Sequence, residues 1–342
     1  MIILSCRHCM KKIGKQTLLF ENPSTISETA CIVGPKEAEG PLANYFDYCL
    51  EDEFWGEKSW EKAESKIIKE TVNLAISKSG IPSSNIDYCF AGDLLNQCIS
   101  SSFGLRELNI PFFGVFGACS TFVESMALAS VFLDNKNLKN ILCATSSHFC
   151  SAEKQFRFPL ELGNQRPQTS QWTVTGSGVA ILSSNGNGPY ITSITPGKIV
   201  DMGIKDANNM GAAMAPAAVD TLITHLQDTG RNPEYYDAIF TGDLGHIGKD
   251  IVLDIAESKG YKLNNYNDCG VLIFDKETQD THSGGSGCAC IGVTFSGYIF
   301  KQLHERKLNK VLLIATGALM NATTSQQGES IPGIAHAISI EN

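Results

Sequence analysis

The sequence predicts an α/β fold made of two copies of one plan. Three observations carry this: short apolar strand-like runs alternate with helical stretches, three markers recur in the same order, and a breaker cluster separates the copies. The runs fall at 86–91, 112–116, 140–145, 178–183, 238–241, 271–274 and 311–316. Most are continuous rather than alternating, as strands covered on both faces are. The 342 residues are 43% apolar and 18% charged, enough for a sizeable core and against wholesale disorder. The net charge of −9 excludes a duplex-coating protein, so no nucleic-acid partner is expected.

Met10-Lys11-Lys12-Ile13-Gly14-Lys15 reads as a natural start, so residues before Met10 are expected to come from a mis-assigned start, and 1–13 are taken as a leader. Cys6-Arg7-His8-Cys9 has CxxC spacing but no second pair in range, which argues against zinc. No signal peptide and no transmembrane segment is read. The twelve cysteines are scattered, many in apolar runs, and are expected to be buried reduced thiols.

Ser59 can cap a helix over 60–77, with Ile67, Thr71 and Leu74 on one stripe and Gly80 beyond its end. The run 86–91 ends in Ala91-Gly92-Asp93-Leu94, the first marker, which returns as Thr241-Gly242-Asp243-Leu244. The run 112–116 leads through Gly117-Ala118 to Cys119 and an apolar helix containing Phe122, Met126, Ala129 and Phe132. Its counterpart is Gly284-Gly285-Ser286-Gly287-Cys288, which opens a second buried helix. The third marker, at 138–145, returns at 308–316 with one residue inserted. The seam is placed in Asn185-Gly186-Asn187-Gly188-Pro189, giving halves at 14–187 and 188–342. In the second half a helix is expected to start near Pro216 and to stop by Gly230. Residues 149–175 read as a long polar loop, a lid with Lys154, Arg157 and Arg166 among aromatics, able to meet a carboxylate ligand.

Cys119 is the strongest chemical candidate. A thiol at a helix start feels the positive end of the helix dipole, which favours a nucleophile or an anion contact. Gly285, Ser286 and Gly287 offer backbone N–H groups to an anion from the other half. Asp93 and Asp243 both end strands. Asp93 is preferred as a ligand residue because Asn96 and Gln97 follow it. Acyl-transfer chemistry needs a histidine beside Cys119, and His148, His246 and His282 are all available; spacing does not choose among them.

Several long strings carry a family resemblance: Gly34-Pro35-Lys36-Glu37, Ala91 through Gln97, Phe116 through Thr121, Ala144 through His148, Glu153 through Arg157, Met210-Gly211 through Ala218, Asn267 through Gly270, and Gly284 through Cys290. From Ile13 onward the chain resembles the stage V sporulation protein AD family. The resemblance implies a thiolase-like fold with two pseudo-symmetric βαβαβαββ halves in five αβαβα layers. It implies a non-catalytic protein that binds dipicolinic acid (pyridine-2,6-dicarboxylate), alone or as its calcium chelate. The family serves its uptake into the developing spore and its release at germination. The implied partners are membrane proteins of the same sporulation operon, with the chain peripheral to the spore inner membrane, and a homodimer by analogy with thiolases. The ligand residues expected are Asp93, Asn96, Cys119, His148, Gly285, Ser286 and Gly287. No cofactor is expected, and calcium enters only with the ligand, bridged by Asp93. His282-Ser283-Gly284-Gly285-Ser286-Gly287 lacks the proline of the thiolase signature and is shorter by one residue, which weakens the enzymatic reading. The alternative is a condensing acyl transferase with Cys119 as nucleophile and His148 or His246 as base.

Overall fold

The structure is a computed structural model that describes residues 10–134, 137–156 and 165–342. One sheet runs through the described residues in the order Tyr266–Asp268, Ala238–Thr241, Lys310–Ala318, Gly333–Glu341, Tyr190–Thr195, Thr17–Val33, Gly176–Ser183, Asn140–Ser147, Tyr88–Gly92 and Phe112–Gly114. Numbered by chain order within each half, that path reads 3-2-4-5-1 and then 1-5-4-2-3. The two halves are thus mirror-ordered units joined where Thr17–Val33 and Tyr190–Thr195 pair antiparallel. The Asn185–Pro189 turn lies between the last strand of one unit and the first of the other. Lys11–Ile13 also pairs with Thr17–Val33, so the sheet begins before residue 14. Cys6 and Cys9 lie outside the described residues.

Side-chain parity along the strands builds five layers. In Asn140–Ser147, Ile141 and Cys143 enter a central core while Leu142 and Ala144 face the helices Trp60–Ser79 and Ile99–Leu105. In Lys310–Ala318, Val311, Leu313 and Ala315 enter the same central core, and Leu312 and Ile314 face Met210–Thr229 and Gly245–Ser258. The central layer is Thr121–Leu133 and a helix over 288–304 that passes through a π segment, Thr294–Ile299. Both are apolar nearly all round, as helices buried between the two halves of the sheet must be. Phe122 of one meets Phe295 of the other with ring centroids 5.8 Å apart. The order helix, strand, helix, strand, helix is the arrangement the resemblance implied.

Local signals placed several elements well. Ser59 accepts a hydrogen bond from the Lys62 N–H, and Gly80 ends that helix with φ +65°. Two expectations need correction. The run 271–274 is not a strand; Cys269–Leu272 is one helical turn, capped by the Asp268 carboxylate accepting from the Gly270 N–H. The neighbouring strand is Tyr266–Asp268. The helix expected to begin near Pro216 begins at Met210, where the Asn209 side chain accepts from the Ala212 N–H, and Pro216 lies inside it. The Asn209 cap sets the start, and Pro216 lies in the second turn, where it removes one backbone hydrogen bond. Among the described residues no helix is long and apolar enough to cross a membrane.

The central helix lies against Gly176–Ser183 with no room for a side chain between them. A Cβ on Gly178 would sit 2.2 Å from the Gly292 carbonyl carbon. Gly178→Ala is therefore expected to destabilise the fold by about 3 kcal/mol or more, read as a lower midpoint in urea unfolding with an unchanged slope.

Candidate functional site

Cys119 is delivered by a strained elbow. After Phe112–Gly114 the chain turns, with Ala118 in the left-handed region at φ +51°. The Gly117 carbonyl accepts from the Ser120 N–H and hydroxyl. Thr121 donates its hydroxyl to the Ala118 carbonyl at 2.6 Å and accepts from the Gly117 N–H at 3.1 Å. On the other side Gly285–Ser286 pairs in parallel with Trp172–Thr173, and Gly287 turns into the central helix with φ +99°. The two helix starts touch: the Cys288 thiol donates to the Ala118 carbonyl at 3.0 Å.

Cys119 and Gly287 share one narrow pocket, with a cavity volume of about 50 Å³, that opens to solvent. Leu94, Phe116, Ala118, Ala152, Phe156, Met210, Ala318 and Met320 give it apolar walls, and Thr173, Ser286 and Glu153 add polar groups. No lysine, arginine or histidine is among these lining residues.

The group beside Cys119 is Asp243. It is fully buried, one oxygen accepts the Thr316 hydroxyl, and its carboxyl lies against the Cys119 thiol and the Gly287 N–H. Burial is the main cause that pushes this carboxyl up to about 7. Burial and the Asp243 charge together push the Cys119 thiol well above its ordinary value, against a smaller lowering by the Gly287 N–H. The helix start does not make Cys119 a thiolate, because desolvation and a neighbouring acid outweigh the dipole.

The other expected residues scatter. Asp93 is fully buried and does not line the pocket: its carboxylate accepts from the Leu95 N–H, the Ser101 N–H and the Ser101 hydroxyl. It lies beside Glu64, another buried carboxyl, which burial and Asp93 push up to about 8. Asn96 is exposed, its N–H bonded to Gln155. His148 is fully buried and ties two segments: Nε2 meets the Glu53 carbonyl at 2.8 Å, and Nδ1 accepts from the Cys150 N–H. His246 stands half-buried near Lys249 and Lys276. His282 clasps the Pro167 carbonyl and Asp280. No hydrogen bond joins any of these histidines to Cys119, so the Cys–His pair of the acyl-transfer reading is not assembled. Gly285 stands behind Ser286 and Gly287, its carbonyl taken by Gln171.

The stretch read as a loop begins as a helix, Phe149–Phe156, which places Ala152, Glu153 and Phe156 on the pocket. Lys154 pairs with Glu61 at 2.8 Å, and Arg166 lies over the Trp172 ring and bonds the Gln171 carbonyl. Arg157 falls outside the described residues. Asp243 could have been preferred from the repeat itself, because a shared crevice brings the second half's aspartate to the first half's cysteine.

Two outcomes follow. Glu37, Glu64 and Asp243 are fully buried, and burial raises them to about 8, 8 and 7. A folded-state value above the unfolded one means that their stabilising share is full below about pH 4 and is lost as pH rises toward 8. Thermal melts from pH 5 to 8.5 should fall by up to about 1.4 kcal/mol per pH unit for each retained proton, and Glu64→Gln should flatten the fall. Iodoacetamide at pH 8 should alkylate Cys119 about tenfold or more slowly than free cysteine, read by peptide mass mapping.

Comparison with known proteins agrees with this architecture. The family model described as stage V sporulation protein AD matches residues 14–341. The chain is 46% identical over 333 residues to the stage V sporulation protein AD of Bacillus subtilis (strain 168), covering 97% of this chain and 98% of that protein. Among solved structures, a variant of Xanthomonas campestris OleA superposes with TM-score 0.61 at 13% identity, over 95% of this chain and 99% of that one. The 3-oxoacyl-[acyl-carrier-protein] synthase III of Aquifex aeolicus gives TM-score 0.55 at 11% identity, over 93% and 100%. The fold is thiolase-like, and the chain belongs to the stage V sporulation protein AD family.

Proposed function

We propose that this sporulation protein is a non-catalytic receptor for dipicolinic acid, and that it serves uptake into the forming spore and release at germination. The observation that carries the reading is the site itself: a thiolase-like elbow and a narrow apolar pocket, with a buried acid where a condensing enzyme needs a base. The aromatic ring would lie between walls such as Phe116, Phe156, Met210 and Met320. One carboxylate would reach the pocket floor at Cys119, Ser286 and Gly287. Among the described residues no group of three or more His, Cys, Asp or Glu side chains could hold a metal, so calcium would arrive on the ligand rather than wait in the protein. Glu153 lines the pocket and would face a chelated ion; Asp93, already engaged within the fold, would not. Attachment at the spore inner membrane would be through the membrane proteins of the same operon.

Calorimetry with dipicolinate, with and without calcium, tests this. Ala152→Phe, which fills the pocket, should weaken binding about tenfold or more while the melting temperature holds. Equal binding by the filled variant would remove the pocket from the reading. Cys119 at its strained elbow keeps the acyl-transferase alternative open to a direct check: incubation with an acyl-CoA should leave the intact mass unchanged, and a stable adduct on Cys119 would favour the enzyme.

A further inference from the structure

Asp243 carries more than a packing role. Its Oδ1 accepts the Thr316 hydroxyl, but Oδ2 makes no hydrogen bond of good geometry although the residue is fully buried. A buried carboxylate oxygen left without a donor is costly, and a bound proton removes that cost. The titratable groups around it are acids and thiols: Asp268, which ends the neighbouring strand, Cys119 at the first-half elbow, Cys288 and Cys290 in the central helix, and Cys269 in the short turn. No cation is among them. The carboxyl stands directly behind Cys119 and Gly287, which face the pocket.

We propose that Asp243 is a carboxylic acid that must hold its proton for the pocket to accept an organic carboxylate, so that ligand and proton are bound together. This rests on the reading that the pocket takes a planar acid. Two hydrogen-bond arrangements explain the coupling. With Asp243 ionised, the Cys119 S–H points back to it, and an incoming carboxylate meets sulfur lone pairs with a negative charge behind them. With Asp243 neutral, its O–H donates to the Cys119 sulfur, and the thiol hydrogen turns toward the pocket. The proton stays on Asp243 in the complex, and no covalent bond to the ligand forms. Because the carboxyl is pushed up to about 7, both arrangements are populated near neutrality. The Thr316 hydroxyl, the Cys119 thiol and the Gly287 N–H oppose protonation by stabilising the charged form.

The test is calorimetry from pH 6 to 8.5 in two buffers of different ionisation enthalpy. The probes are pyridine-2,6-dicarboxylate, pyridine-2-carboxylate and benzoate, whose carboxyls are ionised throughout this range. The wild type should take up about one proton per ligand above neutrality, with affinity falling up to about tenfold per pH unit. Asp243→Asn should bind with the same affinity at every pH. Thr316→Val, which removes one of the opposing donors, should move the midpoint upward and serves if the Asn variant does not fold. A wild-type affinity independent of pH, or an unchanged slope in Asp243→Asn, would overturn the proposal. Infrared difference spectra of the ligand-free wild type and Asp243→Asn separate the two readings. Should no dipicolinate bind while another probe binds with proton uptake, the dipicolinate reading fails and the coupling stands. Should no probe bind and the wild type show no Asp243 protonated-carboxyl stretch at pH 6, both fail; should the stretch be present, the proton assignment stands and the ligand class falls.

Discussion

Backbone-to-backbone contact between the halves is the constraint on which the rest depends. Gly178 of the first unit lies against Gly292 of the central helix, and a Cβ on Gly317 of the second unit would come 2.3 Å from the Gly117 carbonyl beside the elbow. These approaches fix how far apart the two halves of the sheet stand. They let the Cys119 and Cys288 helix starts meet, and the pocket is the small space left above that meeting point. Larger residues at these glycines would separate the halves before they altered any chemical group.

The duplication shows in how each aspartate serves the other half. Asp243 of the second unit lies beside Cys119 of the first, and Asp93 of the first unit is among the charges that act on Cys288 of the second. The two crossings have diverged. Asp93 is held by Leu95 and Ser101, whereas Asp243 keeps an oxygen without a donor. One crossing has become structure, and the other has kept unspent hydrogen-bonding capacity next to an open pocket.

Much of this plan was legible in the chain. The Ser59 cap, the Gly80 stop, the Gly-Ala turn before Cys119 and the glycine run before Cys288 are local signals, and local signals survive folding. Thr17–Val33 was not visible as a strand, because Glu21, Pro23 and Glu28 interrupt its apolar pattern and its pairing partners are remote. Tyr190–Thr195 hides in the same way: its buried Thr195 is satisfied by Thr17 and His225, which the sequence does not bring together. Sequence alone did not show that Asp243 rather than Asp93 stands beside Cys119, because their Gly-Asp-Leu settings are the same and only the crossing of the halves separates them. The histidines could not be ranked from sequence, because a histidine after a strand can tie loops, as His148 does with Glu53, as readily as it can serve a thiol.

Burial or neighbouring acids raise the proton affinity of Cys119 and of each of the other nine described cysteines, all of them free. Peroxide attacks the thiolate, so raising the thiol at every described position slows its oxidation. The surroundings that raise the Cys119 thiol thus shield its sulfur from oxidation by the same means that hold its proton.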